Sequence, residues 1–133
     1  MKKTLLLVAA IVCSGAVAQE KEVWACQGVD TNGFKWENRK WERIAYAPSK
    51  WLLSLDRNDG FNVNGSIKTG ERNYLLRCRD LAFLTCTSHD GIYVSFDRAR
   101  GAGSVASTLG SAFPYRDGSR DSIYIEPIQC TKF

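Results

Sequence analysis

Gly33-Phe34-Lys35-Trp36-Glu37-Asn38-Arg39-Lys40-Trp41-Glu42-Arg43-Ile44 folds back on itself when Asn38-Arg39 is read as a loop. Trp36 then falls opposite Trp41, Glu37 opposite Lys40 and Lys35 opposite Glu42. Aromatic pairs and opposite charges in register stabilise an antiparallel hairpin. Arg39 is not the glycine that a tight type I′ turn prefers, which argues for a slightly longer loop.

Outward from this hairpin the chain continues as short strands divided by turn chemistry, with no long helical period. Upstream, Glu22–Gln27 (EVWACQ) is a first strand, ended by Gly28 and the turn cluster Asp30-Thr31-Asn32-Gly33. Downstream, Pro48 breaks the run and Trp51–Asp56 (WLLSLD) resumes it as a buried strand. Arg57-Asn58-Asp59-Gly60 is a turn before Phe61–Ile67. Asn73–Arg77 and Leu81–Thr87 are apolar runs, and His89-Asp90-Gly91 leads into the alternating Ile92–Asp97. Ile123–Cys130 is the last strand, with Pro127 at an edge or bulge. Gly101–Phe113 is uncharged and rich in Gly, Ala and Ser. Its composition admits a loop, a helical turn or a close-packed strand, and a loop with a short helix over Val105–Leu109 is the expected form. The fold class is therefore all-β: a small antiparallel β-barrel or β-sandwich of about 7–8 strands.

Residues 1–18 have the three parts of a cleavable export signal: Lys2 and Lys3, an apolar run from Thr4 to Val12, and the small-x-small site Ala16-Val17-Ala18. The run is too short to span a bilayer. Cys13 follows the bulky Val12, which does not suit lipidation, so Gln19 is the expected mature N-terminus. The short n-region and the lack of other sorting signals point to a bacterial protein, periplasmic or secreted, with no membrane insertion after cleavage. Residues 19–133 then form a single β-rich domain of 115 residues, since 133 − 18 = 115. Of 18 basic residues two belong to the signal, leaving 16 against 14 acidic ones, a net charge of +2. The charges interleave and form no basic stripe, which argues against nucleic acid as a partner.

The mature chain keeps four cysteines, Cys26, Cys78, Cys86 and Cys130. In an oxidising compartment four cysteines make two disulfides, with three possible pairings. The nested one, Cys26–Cys130 and Cys78–Cys86, is the most natural, tying the first strand to the last and stapling one hairpin. A zinc site is disfavoured, because no spacing is C-x₂₋₄-C and His89 is the only histidine. No metal and no cofactor is expected.

Candidate chemistry is sparse. Ser88-His89-Asp90-Gly91 has triad residue types, but sequence neighbours point to different sides and the run is turn chemistry. Asp56–Gly60 resembles a calcium loop one residue short, since glycine falls at position 5 instead of 6. Arg98-Ala99-Arg100-Gly101-Ala102-Gly103 offers arginines and glycine backbone to an anion without completing a phosphate loop. The most unusual feature is tryptophan: Trp24, Trp36, Trp41 and Trp51 fall within 28 residues, joined by Phe34 and Tyr46. Large rings build the core of a small domain, or they line a site. Trp24 and Trp51 sit in apolar strands and read as core. Trp36 and Trp41, flanked by charges, read as a ligand or partner site, with Phe34, Arg98 and Arg100 as further candidates.

The plan of the chain, an export signal followed by a short domain whose cysteines tie its ends, is similar to that of periplasmic lysozyme inhibitors. That resemblance implies a small β-barrel, while none of those inhibitors' binding motifs falls on this sequence. Three function classes follow. The first is a non-enzymatic binding protein with an aromatic-lined site for a small ligand, glycan or protein partner. The second is a periplasmic hydrolase inhibitor of the lysozyme type, and the third a small secreted enzyme using His89 or carboxylates.

Overall fold

The computed structural model describes residues 21–133. The export signal 1–18, Cys13 and the cleavage after Ala18 lie outside the described residues. Within them run β1 (Lys21–Gly28), β2 (Thr31–Glu37), β3 (Lys40–Tyr46), β4 (Lys50–Asp59), β5 (Asn62–Thr69), β6 (Arg72–Asp80), β7 (Leu84–Thr87), β8 (Ile92–Asp97), β9 (Ala102–Ser107), α1 (Leu109–Ala112) and β10 (Ile123–Lys132). All strand pairs are antiparallel. The order β1-β4-β5-β6-β7-β8-β9-β10 closes because β1 also pairs with β10, giving an eight-stranded barrel. The remaining two strands, β2 and β3, form the hairpin read from the sequence, attached to the barrel through β10.

Alternation fills the interior. Leu53 and Leu55 of β4, Val63 and Ile67 of β5, and Val94 and Phe96 of β8 all point inward and are fully buried. Trp24 meets Phe96 edge-to-face at 4.9 Å. Eight strands enclose a space that such side chains can just fill, so the barrel has a packed core and no open lumen. Both disulfides are as the nesting argument had them, Cys26–Cys130 and Cys78–Cys86, each joining directly opposed residues of neighbouring strands.

Along one edge of β10 the partner changes. Residues 123–125 pair with β2 and residues 128–132 with β1. Pro127 sits between, where its missing N–H costs no ladder bond, and its carbonyl accepts from Val29 N–H at 2.9 Å. Here β1 ends, the chain steps over Val29-Asp30, and the hairpin leaves the barrel.

Four local expectations need correction. Asp30–Gly33 is not a turn: β2 begins at Thr31, because Asn32 and Gly33 pair with Ile125 and Tyr124. The hairpin loop is two residues after all, with Asn38 and Arg39 both left-handed (φ 52° and 62°), as a type I′ turn requires. β4 continues through Arg57 to Asp59 with a register shift, and the turn falls at Gly60-Phe61. In Gly101–Phe113, residues 102–107 form the close-packed strand β9, and the helical turn comes later, at Leu109–Ala112. The small residues there serve packing: a side chain on Gly103 would stand 2.1 Å from Ser95 O, while Val105 fills the core at 0% exposure.

Candidate functional site

The hairpin leaves the barrel at the end where β1, β5 and β9 finish and β4, β6 and β10 begin. We call this end the mouth. Register decides which side chains face it. Thr31 lies opposite Tyr46, and Gly33 opposite Tyr124, so these share one face of the hairpin sheet. Tyr46 and Tyr124 stand with ring centroids 6.2 Å apart. With Trp51, Arg72 and Tyr74 they line a cleft of about 750 Å³. A second hollow of about 580 Å³ shares Arg72, Tyr74 and Tyr124 and runs on over Leu109, Tyr115 and Asp121.

Beneath the mouth lies Glu126, at 0% exposure. One carboxylate oxygen accepts the Ser49 N–H at 2.6 Å and the other the Trp51 Nε1–H at 2.8 Å. Buried charge survives when its lone pairs are satisfied in this way. Gly28 makes room for the group, since a β-carbon there would fall 1.8 Å from Oε1. The carboxylate thus pins the start of β4 to β10 and fixes the floor on which the tyrosines stand.

The wall is polar as well as aromatic. The Tyr74 phenol beside the Arg72 guanidinium raises the arginine's pKa. Burial pushes the Tyr124 phenol up to about 12, with Tyr74 and Glu126 adding to the effect. Outside the cleft wall, Tyr115 donates to Asp121 Oδ2 at 2.9 Å, and that bond raises its own pKa. Among the described residues, Thr31 Oγ1 and the Tyr46 hydroxyl are buried without a hydrogen-bond partner. Such groups are uncommon in folded proteins and call for an explanation.

The Tyr124 shift has a consequence at high pH. A raised phenol contributes stability that is fully present below the ordinary value of 10.0 and is lost as pH climbs toward about 12. Thermal melts between pH 9 and pH 12 (roughly the window linkage defines) should show a falling midpoint that Tyr124→Phe makes shallower. An unchanged slope in that variant would remove Tyr124 as the cause.

Of the residues singled out from the sequence, Phe34, Trp36 and Trp41 do come together. They occupy the opposite face of the hairpin, beside Ile123 and Ile125. Trp36 and Trp41 pack edge-to-face at 5.1 Å. Trp36 Nε1–H donates to Gly118 O at 3.0 Å and Arg120 lies 5.1 Å over its ring, so the segment 113–122 partly covers it. Phe34 remains 46% exposed and Ile125 60%. Arg98 and Arg100 lie at the far end of the barrel, in the β8–β9 turn. Arg98 Nε donates to Glu22 Oε2 at 3.0 Å and Nη1 to Asp80, bridging β1 and β6. Arg100 pairs with Asp97 at 3.0 Å on the surface. Trp24 and Trp51 are core, as read. His89 is exposed in its turn, and Ser88 Oγ accepts from Ile92 N–H.

Sequence reasoning passed over Arg72, Tyr74, Tyr124 and Glu126. A signal for two of them was there. Counting back in twos from Cys130 gives Ile128, Glu126 and Tyr124, which places a carboxylate and a phenol on the inward face of the last strand.

In comparison with known proteins, no family model matches the chain, no curated protein matches it and no solved structure matches it.

Proposed function

We propose that this chain is an exported, non-enzymatic binding protein whose ligand seats in the barrel mouth. One observation carries the reading: a cleft of about 750 Å³ whose wall combines Tyr46, Trp51, Tyr74 and Tyr124 with Arg72 and an anchored floor. Clefts of this size with aromatic walls and a few placed polar groups are where small ligands bind. The two disulfides suit an oxidising, extracytoplasmic compartment. The test is native mass spectrometry of protein purified from that compartment. A bound mass released on denaturation should disappear in Tyr74→Ala/Tyr124→Ala. If that variant retains the mass, the mouth is not the site.

A second reading keeps Trp36 and Trp41 as a partner surface, including the hydrolase-inhibitor case. It is favoured by the hairpin's shape: among the described residues, 35–42 have no strand neighbour but each other, and the two-residue tip lies beyond the last pair that joins the hairpin to β10. Trp36→Ala/Trp41→Ala should then fold while losing partner capture, each anchor being worth about 2 kcal/mol or more. Denaturation that shows several kcal/mol of lost stability instead would return the pair to a packing role.

A further inference from the structure

The chemistry of the mouth selects its ligand, an inference that rests on reading the mouth as the binding site. We infer that the ligand is an uncharged saccharide of about disaccharide size. The wall is rich in hydroxyls: Ser49, Thr69 and Ser122 supply aliphatic ones, and Tyr74 and Tyr124 phenolic ones, five of its twelve lining residues, while those of Thr31 and Tyr46 are buried. Each hydroxyl both donates and accepts, which matches a ligand whose own groups are hydroxyls. The three phenol rings offer apolar faces to the C–H faces of a sugar ring.

Competing ligand classes fit worse. A hydrocarbon tail needs an apolar lumen, and this barrel is filled by Leu53, Leu55, Ile67 and Phe96. An anion would be drawn to Arg72, yet Glu71 lines the same cleft, and Asp90 and Asp121 line the hollow that shares Arg72 with it. The three carboxylates outnumber the guanidinium, so an anion gains no net attraction, and a cation meets Arg72. Glu71 and Arg72, adjacent on the rim, instead present a planar acceptor and a planar donor, each able to take two neighbouring hydroxyls.

The experiment is isothermal titration calorimetry of the oxidised protein with N,N′-diacetylchitobiose, cellobiose, maltose and lactose. Glucuronate serves as an anionic control and N-phenyl-1-naphthylamine as an apolar probe. At least one neutral disaccharide should bind saturably and at least tenfold more tightly than glucuronate, a gap of about 1.4 kcal/mol. Tyr124→Ala should weaken it roughly tenfold, the scale of one aromatic contact. Glu71→Ala, an exposed rim change that does not threaten folding, should weaken it severalfold. Trp36→Ala/Trp41→Ala should leave it unchanged. Binding of the naphthylamine at the mouth, abolished by Tyr124→Ala and not displaced by any disaccharide, overturns the saccharide inference and leaves the mouth as a binding site. Glucuronate binding as tightly as the neutral sugars overturns the claim of an uncharged ligand. If no probe binds, both the inference and the reading beneath it fall.

Discussion

Glu126→Ala is expected to lower the unfolding free energy by about 3–5 kcal/mol, the scale for breaking a fully buried, hydrogen-bonded charged group. Two donors lose their acceptor at once, the Ser49 N–H and the Trp51 Nε1–H, and both lie in the segment that begins β4. Each orphaned donor costs about 1–3 kcal/mol, and the vacated space adds a cavity beside Trp51. Glu126→Gln keeps one acceptor oxygen and turns an amide N–H₂ toward the other donor, so it should fall between wild type and alanine. Gly28 supplies an independent check. Gly28→Ala drives a β-carbon to 1.8 Å from Oε1 and should be strongly destabilising in the native background. In the Glu126→Ala background that clash is gone, and the two costs should be less than additive. Urea unfolding of the four proteins at neutral pH measures the cycle. Glu126→Ala within about 1 kcal/mol of wild type, below the usual cost of a buried orphan, would show that the carboxylate does not anchor the mouth.

The all-β fold was legible because its strands carry local signals. Ile92–Asp97 alternates, the Trp36–Trp41 hairpin fixes its own register through three cross-strand pairs, and the cysteines join strands that are neighbours in the wall. Closure was not legible: β1 pairs with both β4 and β10, and only three-dimensional curvature tells a closed ring from two stacked sheets. The strand β9 was hidden because Gly103 and Ala102 are there to let β8 and β10 approach, and small residues carry no period. The site was the least legible part. Tyr46, Tyr74 and Tyr124 are dispersed over three strands, and none has a motif around it. The tryptophans cluster in sequence, yet Trp36 and Trp41 face away from the cleft that Tyr46, on the same hairpin, helps to line. Alternation assigns neighbours to opposite faces, so clustering along the chain says little about clustering in space.

Removing the Cys26–Cys130 bridge as a Ser/Ser pair should cost about 4–5 kcal/mol, against roughly 2–3 kcal/mol for Cys78–Cys86. The difference comes from the unfolded chain. The outer bridge spans 104 residues of sequence and the inner one 8, and a longer closed loop loses more conformational entropy when unfolded. Native contacts work in the same direction. Cys26 and Cys130 face each other across β1 and β10, the pairing that closes the barrel, whereas Cys78 and Cys86 join a hairpin whose two strands are already close along the chain. Loss of the outer bridge should therefore also loosen the closing pair. Hydrogen exchange should rise along Trp24–Gly28 and Ile128–Lys132 before it rises in β5 or β6. Denaturation of the two Ser/Ser variants, with exchange mapped on the outer one, reads both effects. Equal costs for the two bridges would contradict the loop-entropy account. Uniform exchange across all strands would mean that the barrel opens as a whole and that the β1–β10 pairing is no weaker than the rest.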